Sequence, residues 1–185
     1  EGENLETMAK STGLSIVEYT SAFKKLKPHM VIVIADRYET LAAAITASYM
    51  NIFLVHTQGG EITGSIDESV RHATTKLAHL HFPATKIAAG NVVKMGENPK
   101  KVFNVGGLGV DNIKQTNFLS KFQLEKKLGI NFKKKNLIIN FHPETLNKYA
   151  TKKIFNELLS ALRKKTNQMC LIFTMPNSDL ESEIV

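Results

Sequence analysis

Short unbroken apolar runs alternate along this chain with stretches in which apolar residues recur every three or four positions, and that alternation sets the expected elements. Leu14, Val17, Phe23 and Leu26 mark one side of a first helix within residues 1–27, which Pro28 ends. Residues 30–34 (Met-Val-Ile-Val-Ile) form a continuous, largely β-branched run, expected to be a fully covered parallel strand. Residues 40–50 are alanine-rich and helical, and 52–55 form the next strand. The spacing predicts a helix from Ser65, where Ser65 and Glu68 fit a capping box, with Val70, Ala73, Leu77 and Leu80 as its apolar face. A short strand around 80–82, a helix over 85–95 and a strand over 102–105, ending in Gly106 and Gly107, complete the first part.

After Asp111, Asn112 and Ile113 the pattern changes. Residues 114–120 are polar and unpatterned and read as an interdomain linker, dividing the chain into domains 1–112 and 113–185. A short amphipathic helix over 121–128 follows, then a strand over 137–141, a helix over 152–165 and a strand over 169–173. Alternating strands and helices with short apolar strands are the pattern of the α/β class, in which parallel sheets are covered by helices. Ligands of such sheets bind beyond the carboxyl ends of the strands. Asp36, Glu61, Gly106 with Gly107, His142 and Asn177 all fall at such ends, so one shared cleft is expected.

Composition narrows the classes of function. The 185 residues are 43% hydrophobic and 22% charged, an ordinary globular balance with formal net charge +7. The excess lies mainly in the second half, at Lys121, Lys126, Lys127, Lys133, Lys134, Lys135, Lys152, Lys153, Arg163, Lys164 and Lys165. These residues decorate helices and loops and do not form a stripe interleaved with stacking aromatics. Nucleic acid is therefore not expected, and attraction for an anionic small molecule is. The single cysteine, Cys170, cannot form an internal disulfide and sits in an apolar run, which reads as a buried structural thiol in a reducing cytoplasm. No apolar run approaches the roughly 20 residues of a membrane span, and no signal-peptide pattern precedes the first helix.

The segment from His56 to His81 concentrates the ionisable residues. Asp36 has two readings, the N-cap of the helix that follows it or a chemical group. Glu61 sits in a glycine turn, where helix propensity does not explain it. Asp67 would oppose the helix dipole or take part in chemistry, Glu68 reads as the capping-box partner, and Arg71, four residues after Asp67, as its solvated partner. His72, His79 and His81 lack the four-residue spacing of two metal ligands on one helical face, so no metal is expected. His142, before a proline, is either a loop residue or a phosphate or hydroxyl contact. Neither a G-x-S-x-G turn nor a Walker loop is present. What remains is three carboxylates, an arginine and a histidine near helix starts, a set suited to proton abstraction and return on a substrate with an anionic leaving group.

The string G-G-E-I-T-G-S-I-D-E-S-V-R-H-A-T-T-K-L-A-H, preceded by A-D-R-Y-E and followed by F-N-V-G-G-L-G-V-D-N and F-H-P-E-T-L, closely resembles the hydrolysing UDP-N-acetylglucosamine 2-epimerases, the NeuC-like group. The resemblance runs from about Val31 to Asn177. It implies two Rossmann-like domains of the GT-B type, homo-oligomers, a UDP-sugar substrate and no organic cofactor. Carried over by motif, Asp36, Glu61 and Asp67 correspond to acid/base carboxylates, and Arg37, Gly60, Arg71 and His142 to substrate-binding positions. The implied reaction eliminates UDP across carbons 1 and 2 of the sugar, then adds water at carbon 1 and a proton at carbon 2, releasing a free manno-configured sugar.

Two departures accompany the resemblance. Ala35 stands where the family usually has glycine, and the family's first strand and its UDP-gripping N-S-S-x-G-x-x-E segment are missing. The chain thus reads as the central part of an enzyme about twice as long, inactive by itself. The expected substrate is UDP-N-acetylglucosamine, giving N-acetylmannosamine for a sialic-type acid. UDP-2,4-diacetamido-2,4,6-trideoxyglucose, on a legionaminic acid route, is the alternative donor, and a non-catalytic nucleotide-sugar binding module the alternative of another class.

Overall fold

The computed structural model describes residues 5–142, 151–163 and 169–175. Two compact units divide the chain, Glu1–Gln115 and Thr116–Val185. In the first, α1 (Leu5–Leu26), β1 (Met30–Ile34), α2 (Tyr38–Tyr49), β2 (Phe53–Thr57), α3 (Ile66–Leu77), β3 (Leu80–Phe82) and α4 (Lys86–Lys94) are followed by a 3-10 turn (Pro99–Lys101) and α5 (Leu108–Gln115). The sheet runs β1-β2-β3, all parallel, with Val33 beside His56 and His56 beside His81. Its core is small: Val33, Leu54, Ala78 and the α2 alanines Ala43, Ala44 and Ala47, closed by Tyr19, Phe23, Val31, Ile52 and Leu77. Alanines along α2 let that helix lie close on the sheet, and α1 packs against α2 in turn.

Four expectations are corrected in this unit. β1 is covered on one face only: Val31 and Val33 turn to the core, whereas Ile32 and Ile34 are 62% and 52% exposed. An unbroken apolar run records that neither face is polar, which is short of showing that both are packed. Residues 102–105 do not form a strand, although they lie extended along β3, with Val102 bridging His81 and the Phe103 and Val105 amides donating to the His81 and Pro83 carbonyls. The next rung would need an amide hydrogen from Pro83, and proline has none, so the ladder stops.

Finally, α3 ends at Leu77, and its buried stripe is Arg71, Thr74, Thr75 and the following Ala78, while Ala73 is exposed. Polar residues are buried on this face with polar partners, Thr75 against His56 and Arg71 against Asp36 and the Glu61 carbonyl. The anticipated capping box is also absent. Ser65 holds the N-cap position without a side-chain cap, and the Glu68 carboxylate reaches past it to the amides of Thr63 and Gly64, both at 2.6 Å.

The second unit contains α6 (Lys121–Leu128), β4 (Lys135–Ile139), α7 (Thr151–Arg163) and β5 (Met169–Phe173), the two strands pairing in parallel. α6 begins in a full capping box between Ser120 and Gln123 and ends at Gly129 in the left-handed conformation. Phe155 of α7 is buried, its ring centroid 5.2 Å from that of Phe141. α5 runs through the expected domain boundary, and residues 116–120 carry neither helix nor strand. Cys170 is half-buried in β5 and not fully enclosed. Asn177 and the residues 143–145 of the H-P-E-T motif lie outside the described residues. Among the described residues no helix is long and apolar enough to cross a membrane.

Candidate active site

Two strand-end turns and the first half of α3 build the site in the first unit. After β1, Ala35 takes a left-handed conformation (φ +57°), its amide donating to the Thr57 carbonyl at 3.0 Å. The Thr40 hydroxyl donates to the Ile34 carbonyl at 2.9 Å, closing the turn from the other side. Asp36 therefore projects at the carboxyl end of β1. It does not cap α2, because Arg37 occupies that position, without a side-chain bond. The Arg37 guanidinium instead donates to both Glu39 oxygens, at 3.1 and 3.3 Å, and lies over the Tyr38 ring. Burial alone would raise the Glu39 carboxyl, but the Arg37 hydrogen bonds and charge outweigh it and leave that carboxyl below its ordinary value.

The second turn follows β2. The Gln58 amide donates to the Phe82 carbonyl at 2.9 Å, and the chain then passes through Gly59 and Gly60. Gly60 has φ +86° and lies against α4, where a β-carbon would come within 2.2 Å of the Ala88 carbonyl oxygen. Asn91 of α4 also donates to the Gly60 carbonyl at 2.9 Å. Gly60 is thus a packing glycine that docks the turn backbone onto a helix. Glu61 emerges exposed at the far side of this turn, and among the described residues no hydrogen bond or ion pair holds its carboxylate.

Arg71 draws these turns together. It is 4% exposed and pairs through its Nη2 with the Asp36 carboxylate, while its Nη1 donates to the Glu61 main-chain carbonyl at 2.6 Å. The guanidinium is committed to the two turns and is not a solvated partner of Asp67. Asp67 stands one turn earlier on α3, in the first helical turn, where the Ser65 hydroxyl donates to it at 3.3 Å. The neighbouring Glu68 carboxyl is held below its ordinary value by the amides of Gly64 and Thr63.

The remaining candidates are placed elsewhere. His142 belongs to the second unit, exposed, beyond the end of β4. His72 faces Glu68 at 3.8 Å, the His79 Nδ1 accepts from the Leu54 amide at 3.1 Å, and the His81 Nε2 is 3.3 Å from Glu97. Burial lowers the His81 imidazole despite the Glu97 charge beside it. Among the described residues no group of three histidine, cysteine or acidic side chains is arranged to hold a metal ion. Sequence reasoning passed over His56, Thr75 and Asn91, which tie the turns to the scaffold. The available signal was a histidine interrupting the apolar run of a central strand.

Chemically, the arrangement offers one carboxylate held by a buried cation, a second on an adjoining turn that has no partner among the described residues, and a third at a helix start. Arg71 offsets the charge of Asp36 and, through the Glu61 carbonyl, holds the neighbouring turn's backbone beside it. The positive end of α3 favours an anionic group at its mouth. Such a set suits the removal of a proton at one position and its return at another.

Comparison with known proteins gives this geometry its context. The family profile described as UDP-N-acetylglucosamine 2-epimerase matches residues 1–185. A relative from Campylobacter jejuni, named GDP/UDP-N,N'-diacetylbacillosamine 2-epimerase (hydrolyzing), is 42% identical over 94% of this chain and 45% of its own length. The polysialic acid biosynthesis protein P7 of Escherichia coli is 40% identical over 84% of this chain and 40% of its own length. The structure of UDP-GlcNAc 2-epimerase from Neisseria meningitidis bound to UDP-GlcNAc matches with a TM-score of 0.75 at 21% identity, over 98% of this chain and 52% of that one. That likeness shows the fold, α/β with Rossmann-like units of the GT-B type. The chain spans about half the length of the curated relatives it matches.

Proposed function

The chain belongs to the UDP-N-acetylglucosamine 2-epimerase family, and from that premise we propose that the complete protein is a hydrolysing UDP-sugar 2-epimerase. The observation that carries the reading is the Arg71 clamp, which brings the turns bearing Asp36 and Glu61 to one place beside the start of α3. Loss of UDP from the sugar requires a base for a carbon-bound proton and stabilisation of the departing diphosphate; rehydration requires a proton donor on the opposite face. Asp36, Glu61 and Asp67 are the carboxylates proposed for these transfers, with Arg71 orienting the first two. Arg37 and His142 are assigned to nucleotide-sugar contacts by motif resemblance alone. Gly60 serves through its backbone. Homo-oligomerisation and residence in the cytoplasm are part of the same proposal.

UDP-N,N'-diacetylbacillosamine, the 2,4-diacetamido-2,4,6-trideoxyglucose donor, is the substrate proposed first, supported by the name of the Campylobacter jejuni relative. UDP-N-acetylglucosamine is the second reading, supported by the description of the family profile that matches the chain. The test is to incubate the complete protein with each donor and assay UDP and free sugar. Glu61→Gln should abolish release while UDP affinity persists. A folded protein that releases UDP from neither donor would overturn the hydrolysing reading, and one that also leaves both donors unchanged would be a binding module.

A further inference from the structure

Beneath both carboxylate-bearing turns lies a histidine that the chemistry above does not use. His56 is 1% exposed and stands in the middle strand between Val33 and His81. Its Nε2 is 2.8 Å from the Ala35 carbonyl oxygen, and its Nδ1 is 3.0 Å from the Thr75 hydroxyl of α3. A carbonyl oxygen only accepts, so Nε2 must carry the hydrogen; Nδ1 is then the lone pair and accepts from Thr75. Burial pushes the imidazole down to about 4, so the ring stays neutral, as this pair of bonds requires.

What these bonds hold is the site itself. Ala35 immediately precedes Asp36 and sits at φ +57°, a conformation disfavoured for a residue with a β-carbon. Its amide and its carbonyl are both tied to β2, the first to Thr57 and the second to His56. On the other turn, a β-carbon at Gly59 would lie 2.9 Å from both the His56 Nδ1 and the Thr75 hydroxyl, so the backbone leading to Glu61 rests directly on that hydrogen-bonded pair. Thr75 in turn stands four residues beyond Arg71, on the same buried stripe of α3.

We propose that His56 is a positioning residue: its Nε2–H tautomer fixes the Ala35–Asp36 turn and, through Thr75, seats the Gly59–Glu61 turn, setting the relative placement of the two carboxylates. Its expression in turnover rests on the epimerase reading above. Because His56 is enclosed beneath the turns, its loss acts on placement, and a displacement of about 1 Å lowers the rate by roughly 100-fold. The effect belongs in kcat and not in KM.

The test uses the complete protein and two variants that divide the ring's functions. In His56→Asn the side chain reaches only the Nδ1 position and leaves the Ala35 carbonyl without its donor. In His56→Gln an amide hydrogen reaches the Nε2 position and restores it. The expected result is a kcat about 100-fold lower for His56→Asn with KM within about threefold, and recovery to within about tenfold of the parent in His56→Gln. Parental kcat in a folded His56→Asn protein, or equal loss in both variants, would overturn the proposal. Nitrogen-15 NMR of the unmodified protein's imidazoles needs neither variant nor substrate: an Nε2–H tautomer at His56 is expected, and an Nδ1–H tautomer would overturn the placement. Absence of turnover by the unmodified protein on both donors would sink the epimerase reading, while the tautomer would still decide the role of His56.

Discussion

Replacing Arg71 by methionine keeps most of the buried stem and removes the charge, and the structure fixes what that should cost. Truncating one partner of a buried ion pair typically destabilises by about 3–5 kcal/mol, since the other charge is left unmatched. The Asp36 side chain remains 22% exposed and regains some hydration, which places the loss toward the lower end, about 3 kcal/mol. The hydrogen bond to the Glu61 carbonyl adds at most about 1 kcal/mol, because Glu61 is exposed and water can take the place of the donor. Arg71→Met should therefore lose about 3–4 kcal/mol in urea unfolding followed by circular dichroism, compared at equal m-values. Asp36→Asn, measured alone and together with Arg71→Met, completes a cycle whose coupling energy should exceed about 1.5 kcal/mol. A loss below about 1 kcal/mol, the range of a solvent-exposed pair, would refute the reasoning. Coupling within about 0.5 kcal/mol of zero would show that the two side chains do not depend on each other.

Other substitutions test separate parts of the same scaffold. Gly60→Ala should abolish or severely weaken folding of the first unit, because its β-carbon would meet the Ala88 carbonyl at 2.2 Å, whereas Gly90→Ala, inside α4 with open space around it, should stabilise by about 0.5–1 kcal/mol; thermal melts of the two variants should move in opposite directions. His56 is held neutral in the folded state, with its imidazole lowered from 6.5 to about 4 by burial, so the stability it contributes is complete above pH 6.5 and is lost as the pH falls toward 4. That loss is on the order of 3 kcal/mol, and it should be missing from the same titration of His56→Gln; an identical slope in both proteins would contradict it.

Most of the first unit is legible in the sequence because β1, β2 and α2 are coded by uniform runs, and apolar or alanine-rich stretches have one good solution in an α/β sheet. Reading failed where a polar residue carried a buried role. On α3 hydropathy points to Val70, Ala73 and Leu77, yet the helix buries Arg71, Thr74 and Thr75; Thr75 is paired with His56, and Arg71 with Asp36 and a backbone carbonyl. Those partners are distant in the chain, and no local period announces them. The strand expected at 102–105 failed through a single missing amide hydrogen on a neighbouring segment, Pro83. A capping signature likewise gave opposite outcomes: at Ser120 it closed fully, while at Ser65 the preceding turn offered Glu68 two nearer amides. The candidate site was legible as a set of residue types at strand ends and helix starts. Its geometry was not, since what assembles it is one buried arginine and one buried histidine acting across turns.

The central claim, elimination of UDP followed by rehydration, is tested most directly by proton NMR of the complete protein turning over each UDP-sugar in deuterated water. The account predicts release of UDP together with a free manno-configured sugar carrying deuterium at carbon 2, with the preferred donor identifying the substrate. Epimerised sugar still attached to UDP would contradict the hydrolysing reading, and an unchanged donor of either kind in the presence of folded protein would contradict catalysis altogether.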